Sequence, residues 1–138
     1  LILNIKVINK IDDKEPIKIK LILGELAQVI MNIINNSKDA LLINKIQNPT
    51  IIIDVIKKEN KAILTIEDNA GGIKEDILPH VFEPYFTTKH QSQGTGLGLY
   101  ISFNIVKDSL KGNIYIKNTQ SGAKTFIELP IENNDKKN

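Results

Sequence analysis

The sequence predicts a single α/β (α+β) domain, and three observations carry that expectation. Residues 25–40 have the spacing of one long amphipathic helix, two pairs of β-branched runs read as hairpins, and a glycine-rich stretch over 94–98 opens a second helix. A leading strand completes the set. A chain of 138 residues supports one real core and is too short for two.

The leading strand is read over residues 1–11, with Ile5, Val7 and Ile11 set against Lys6, Asn9 and Lys10. Pro16, after the acidic cluster at 12–15, closes a turn. A short apolar stretch from Ile17 leads into the long helix, where Gly24 is a mild weak point. At about 100° per residue, Leu26, Ile30, Ile33 and Leu41 share one side, while Glu25, Gln28, Asn32, Asn35, Asn36 and Asp39 gather nearly opposite. The polar face thus carries short amides where a solvent-facing stripe usually carries Lys and Glu. Asparagine is a poor helix former because its side chain competes for nearby backbone groups. Abundant Asn, Ile and Lys along the whole chain would explain these residues without any function, so the helix alone decides nothing. The helix is expected to fade between Ile43 and Asn48, because Pro49 disfavours helical geometry before it.

Residues 50–57 and 62–67 read as a hairpin around 58–61, and the second strand delivers Asp68 at its carboxyl end. Asn69, Ala70, Gly71 and Gly72 follow, and glycines directly after a strand permit a sharp turn or close approach of a ligand. Residues 74–80 have helical spacing. The segment 81–89 (Val-Phe-Glu-Pro-Tyr-Phe-Thr-Thr-Lys) is compact in aromatics, and 90–93 is polar and reads as a mobile loop. The run Gly94, Thr95, Gly96, Leu97, Gly98 and Leu99 opens a helix with an apolar stripe of Leu99, Phe103, Val106 and Leu110, placed to stop at Gly112. Such an opening presents unpaired backbone N–H groups to an anion. Residues 114–117 and 123–129 form a second hairpin around 119–122, and Pro130 ends the last strand. Residues 1–132 are expected to form the domain and 133–138 a disordered tail.

Composition narrows the functional classes. The net charge of +2 and the lack of a dense basic run argue against nucleic-acid binding. All 18 basic residues are lysines, so a phosphate clamp must use Lys, backbone amides or a metal. No cysteine is present, which excludes disulfides and thiolate chemistry. Apolar runs are short and interrupted by charge, so no membrane span is expected within these residues. The chain opens on Leu1 without a signal-peptide pattern and reads as a piece of something longer.

Each motif is weak alone, but four occur in a set order. The Asn-rich helix, Asp68 with its glycines, Phe-Glu-Pro-Tyr-Phe-Thr-Thr-Lys (82–89) and Gly-Thr-Gly-Leu-Gly-Leu (94–99) resemble the N box, first glycine box, F box and second glycine box of the catalytic ATP-binding (HATPase) domain of two-component sensor histidine kinases. The resemblance covers nearly the whole chain. It implies a two-layer α/β sandwich of the Bergerat (GHKL) type, a mixed sheet carrying helices on one face, with ATP and Mg²⁺ as cofactors.

The resemblance also implies roles. Asp68 would accept a hydrogen bond from the adenine amino group. Gly72 would let the purine lie against the backbone beside Ile73, and Thr125 would support the same edge through water. Asn36 would coordinate Mg²⁺, with Asn32 one turn earlier helping to hold metal or phosphates and Asp39 further along the same face. Gly94, Thr95, Gly96, Leu97, Gly98 and Leu99 would cradle the phosphates, and Thr88 and Lys89 would sit at the start of the lid, Lys89 reaching the terminal phosphate. Asn32 and Lys89 are thereby the catalytic candidates. Three matches depart from the usual pattern: Ala70 replaces a glycine, Ser37 stands where Ala is commoner, and Asp39 stands where many members carry Lys. Lys38 reads as a solvated lysine.

The implied reaction is transfer of the ATP γ-phosphate to a histidine on a separate phosphoacceptor domain of the same protein, with a response regulator downstream, in the cytoplasm and without membrane contact by these residues. Neither His80 nor His90 has the acidic neighbour and downstream proline of a phosphoacceptor helix, so no autophosphorylation by this chain alone is expected. Three alternatives stay open. A GHKL motor ATPase like those of gyrase, heat-shock chaperones and mismatch-repair proteins needs a general-base Glu where Asn32 stands. An anti-sigma-like serine kinase shares the boxes but not the Phe-Glu-Pro-Tyr-Phe-Thr-Thr-Lys form. The last is a non-catalytic module that binds nucleotide or nothing, which nucleotide-dependent thermal stabilisation would separate.

Overall fold

A computed structural model describes residues 5–11, 17, 23–86 and 97–131. In chain order its elements are strand β1 (Lys6–Asn9), helix α1 (Leu23–Ile43), strands β2 (Thr50–Lys58) and β3 (Lys61–Asp68), helix α2 (Gly98–Asn104), and strands β4 (Asn113–Asn118) and β5 (Ala123–Pro130). The five strands form one sheet in the order β1-β2-β3-β5-β4. Only β1 and β2 run parallel, so the sheet is mixed as expected. Both anticipated hairpins are present, with boundaries within a residue or so.

The central strand explains its own composition. β3 is paired on both sides, and Ala62, Ile63, Leu64, Thr65 and Ile66 are all buried in succession: Leu64 and Ile66 face the helices, while Ile63 and Thr65 lie on the open face beside Ile56, Tyr115 and Phe126. On the helix-bearing face Ile51, Leu64, Ile66, Ile127 and Leu129 meet Val29, Ile33 and Leu41 of α1 and Val106 and Leu110 beyond α2. The fully buried line on α1 is Val29, Ile33, Ser37 and Leu41, spaced by four, while Leu26 and Ile30 pack at its side. The expected stripe therefore omitted Val29 and Ser37. Its polar side is not simply solvated either: Asn32, Asn36 and Asp39 are half-buried, whereas Gln28, Asn35 and Lys38 are exposed.

Helix ends depart from expectation in an informative way. Ile46 N–H bonds Leu41 C=O (3.2 Å) and Lys45 N–H bonds Leu42 C=O (3.2 Å), with Lys45 at φ +52. This is a Schellman ending, so α1 is closed by its own carbonyls and Pro49 merely follows. Gly24 falls in the first turn, where it costs least. α2 continues into a π-helical turn (Ile105–Ser109), after which Lys111, not Gly112, takes the left-handed conformation at φ +57. Gly112 is required for space instead: a Cβ there would lie 2.1 Å from the Glu128 carbonyl oxygen. The helical spacing at 74–80 yields only a short 3₁₀ turn (Leu78–His80), because Pro79 suits a first turn but cannot donate to extend one. In β1 the expected apolar side is incomplete, since Ile5 joins the core but Val7 at the sheet edge is 59% exposed.

Residues 133–138, His90 and the turn at Pro16 lie outside the described residues. So do Thr88, Lys89, Gly94, Thr95 and Gly96.

Candidate functional site

Asp68 is the last residue of β3, and a set of polar contacts among the described residues forms around it. Its Oδ1 accepts from the N–H groups of Ala70 (3.0 Å) and Ala123 (3.3 Å), and its Oδ2 accepts from the Ser37 hydroxyl (2.8 Å). Three segments thus meet on one carboxylate that is 9% exposed. Burying a carboxylate is tolerated when such donors replace water.

The loop after Asp68 is held from several directions. Asn44, just past α1, donates to Ala70 C=O (2.7 Å), and Gly71 N–H reaches Ser121 C=O (2.9 Å). Asn69 accepts from Thr50 N–H (2.9 Å) and donates to Asn48 C=O (3.0 Å). Asn118, at the end of β4, clamps Ile73 through both of its backbone groups, accepting from N–H (2.8 Å) and donating to C=O (2.6 Å). Ile73 can therefore address a ligand through its side chain, since its main chain is engaged.

The glycines sort by need. Gly71 (φ +101) and Gly72 (φ +86) adopt backbone that L-residues rarely enter, and a Cβ on Gly72 would also lie 3.1 Å from Asn118 Oδ1. Ala70 is buried in the core and is not among the positive-φ positions, so the missing glycine costs the loop nothing. Thr125 is buried on the inner face of β5, paired with Ile66 and one step diagonal to Asp68, a separation of about 7 Å in a regular ladder.

At the other end of the site α1 meets α2. The Asn32 amide donates to Gly98 C=O (3.3 Å) and to Ser102 Oγ (3.1 Å), and Ser109 Oγ donates to Glu25 Oε1 (2.5 Å). Because 25 faces 109 and 32 faces 98 and 102, the two helical segments run antiparallel. Leu97 caps α2 without a side-chain bond to the first turn, leaving the N–H groups that open the helix to other partners. Gly98 has open space where a Cβ would stand. Leu99 packs on the core with Phe103, whose ring meets Phe82 (5.4 Å between centroids). Asn36 and Asp39 lie on α1 between Asn32 and the helix's end, and both are half-buried and engaged with neighbours.

α1 thus joins the two ends. Asn32 touches the start of α2 and Ser37 touches Asp68, and five residues of helix separate them by about 7.5 Å along the axis. Of the anticipated residues, Asn32 meets Gly98 at one end, Asn36 lies between the ends on α1, and Gly72, Ile73 and Thr125 belong to the loop and strand neighbouring Asp68 at the other. Sequence reasoning missed Ser37 as a partner of Asp68, and Asn44 and Asn118 as clamps. Asn118 directly before a turn was the available signal.

The structure thus combines a two-layer sandwich, a buried carboxylate at a strand end, a glycine loop and an amide-bearing helix. Residues 23–133 match the family described as histidine kinase-, DNA gyrase B- and HSP90-like ATPase, and the chain belongs to that family. Its relatives include the two-component sensor PprA of Pseudomonas aeruginosa, 37% identical over 78% of this chain and 12% of that protein. Sporulation kinase D of Bacillus subtilis is 30% identical over 86% of this chain and 22% of its own length. The catalytic domain of histidine kinase ThkA superposes with a TM-score of 0.78 at 28% identity, covering 92% of this chain and 79% of that one. The fold is that of histidine kinase catalytic domains, and the chain corresponds to a small part of the full-length sensor kinases it matches.

Proposed function

We propose that this chain binds Mg-ATP and presents its γ-phosphate to a histidine on a separate phosphoacceptor domain, as the catalytic domain of a sensor histidine kinase. The observation that carries the reading is Asp68: a buried carboxylate at the open end of a strand, oriented by three donors, beside a backbone that only Gly71 and Gly72 allow. A carboxylate accepts from the 6-amino group of adenine and repels the 6-oxo group of guanine. Gly72, the Ile73 side chain and Thr125 complete the base pocket.

The donor set fits magnesium. Among the described residues no group of three or more His, Cys, Asp or Glu side chains could hold a metal, and Mg²⁺ takes few protein ligands when phosphates supply the rest. Asn36 would hold the ion through its amide oxygen. When bound, the ion neutralises charge on the phosphate oxygens. Asn32 and Asp39 flank that position on α1, and by the family resemblance the N–H groups of Gly94, Thr95, Gly96, Leu97, Gly98 and Leu99 would bind the phosphates, with Thr88 and Lys89 serving the terminal one. Phosphoryl transfer needs positioning and charge stabilisation more than covalent help, which is what this set supplies.

Asn32 cannot take a proton and its amide already bonds Gly98 and Ser102, so water activation is not supported and hydrolysis should be negligible. His80 bonds Glu83 (2.7 Å) on the surface and is no phosphoacceptor. The partners are the phosphoacceptor domain and, downstream, a response regulator. No helix among the described residues is long and apolar enough to cross a membrane, and we place the reaction in the cytoplasm, where ATP is available.

The test is a calorimetric titration with ATP and GTP in the presence of Mg²⁺. ATP should bind in preference, and Asp68→Ala should weaken it by roughly 10- to 100-fold, the worth of a hydrogen bond to a charged group. Labelled ATP should leave the chain itself unlabelled and label a supplied phosphoacceptor domain. Equal binding of both nucleotides, or an unaltered Asp68→Ala protein, would overturn the proposal.

A further inference from the structure

We propose that Ser37 is a positioning residue that sets adenine selectivity by fixing the plane of the Asp68 carboxylate; this rests on the reading that Asp68 meets the 6-amino group. The two backbone donors, Ala70 and Ala123, both act on Oδ1, the second at a long 3.3 Å. Oδ2, the other oxygen, has one donor among the described residues, the Ser37 hydroxyl at 2.8 Å. Oδ1 lies off the Cβ–Cγ axis, so its two bonds set the carboxylate plane, but one of them is long and the terminal torsion is broad, which leaves residual freedom about it. Ser37 removes that freedom with a charge-assisted bond, and Oδ2 keeps a further acceptor direction for a ligand N–H.

The position of Ser37 is otherwise hard to account for. It lies inside α1, 6% exposed, in line with the core residues Ile33 and Leu41. Ala would favour the helix more, and a mid-helix serine commonly turns its hydroxyl back to the carbonyl four residues before. Here the hydroxyl instead crosses to the end of β3, 31 residues away in sequence. Its single proton is spent on Asp68, so Ser37 leaves Oδ2 oriented without competing as a donor for the ligand.

The experiment compares binding of ATP with that of purine riboside triphosphate, which lacks the 6-amino group, in the 138-residue chain. The unaltered protein should favour ATP. Ser37→Ala should lower that preference about tenfold, chiefly by weakening ATP while purine riboside triphosphate binds as before. Ser37→Thr, which restores a hydroxyl, should recover the preference whatever it does to the melting temperature. A purely structural serine would alter the melting temperature and leave the ratio alone. Should the alanine variant fail to fold, Ser37→Cys, with its weak S–H donor, reads the same ratio and should also lower it. A preference retained in the folded Ala or Cys variant overturns the role of Ser37 while leaving that of Asp68 intact. No preference in the unaltered protein overturns both.

Discussion

Replacing Gly122 by alanine tests how tightly the turn between β4 and β5 is seated against the Asp68 end of β3. An added Cβ would lie 1.9 Å from the Asp68 carbonyl oxygen, 2.6 Å from its carbon and 2.9 Å from Asn69 Cα, where ordinary contact begins at 3.4 Å. All three are backbone atoms, and Asp68 ends a strand paired along its length with β2, so the turn must move. Moving it endangers the bonds from Thr119 N–H to Gly122 C=O (2.8 Å), from Gly71 N–H to Ser121 C=O (2.9 Å) and from Ala123 N–H to Asp68 Oδ1 (3.3 Å). Overpacking costs about 1–3 kcal/mol, and each lost hydrogen bond about 1 kcal/mol. With all three bonds lost the expected total is roughly 4–6 kcal/mol, read as a lower urea midpoint at constant slope, with nucleotide affinity falling in parallel because Asp68 loses one of its holders. Gly98→Ala is the control: no atom lies within 4 Å of its Cβ, so stability should stay within about 0.5 kcal/mol. A Gly122→Ala protein as stable as that control, with the same slope, would refute the packing argument.

Two further outcomes follow from strain and charge. Glu59 opens the turn between β2 and β3 at φ +57 and is exposed, so Glu59→Gly should raise the unfolding free energy measured in urea by roughly 0.5–1 kcal/mol by relieving left-handed strain. On the open face of the sheet Tyr115 O–H donates to Glu128 (2.7 Å) and Lys61 pairs with the same carboxylate (3.3 Å). The bond from Tyr115, ahead of Lys61, holds the Glu128 carboxyl below its ordinary value, and the same bond, aided by burial, raises the Tyr115 phenol. A lowered acid stabilises above its unfolded value and loses this as pH falls through the folded one; a raised phenol stabilises below its unfolded value and loses this as pH rises through the folded one. Tyr115→Phe keeps the stack on Phe126 (4.8 Å), so it should be less stable than the parent at neutral pH and approach it in both acid and alkali. Denaturation across pH measures this, and a pH-independent difference would contradict it.

Elements that depend on neighbours in sequence were legible from the residues alone. The period of α1, both hairpins and the delivery of Asp68 at the end of β3 follow from local alternation and turn chemistry, and the order of four motifs identified the family. The same local reasoning overextended 74–80 into a helix, where Pro79 allowed one 3₁₀ turn, and assigned the stop of the second helix to Gly112, where Lys111 bends the chain. What the folded chain decided was who touches whom. Ser37 meets Asp68, Asn44 meets Ala70 and Asn118 meets Ile73 across 31, 26 and 45 residues, and Gly112 and Gly122 are glycines because distant backbone passes beside them. Periodicity is a property of a short stretch and survives in one dimension. A hydrogen bond or a forbidden Cβ between remote segments exists only once the sheet and helices have fixed their separation, so the contacts that Asn32 and Asp68 make with Ser102 and Ser37 were decided by packing.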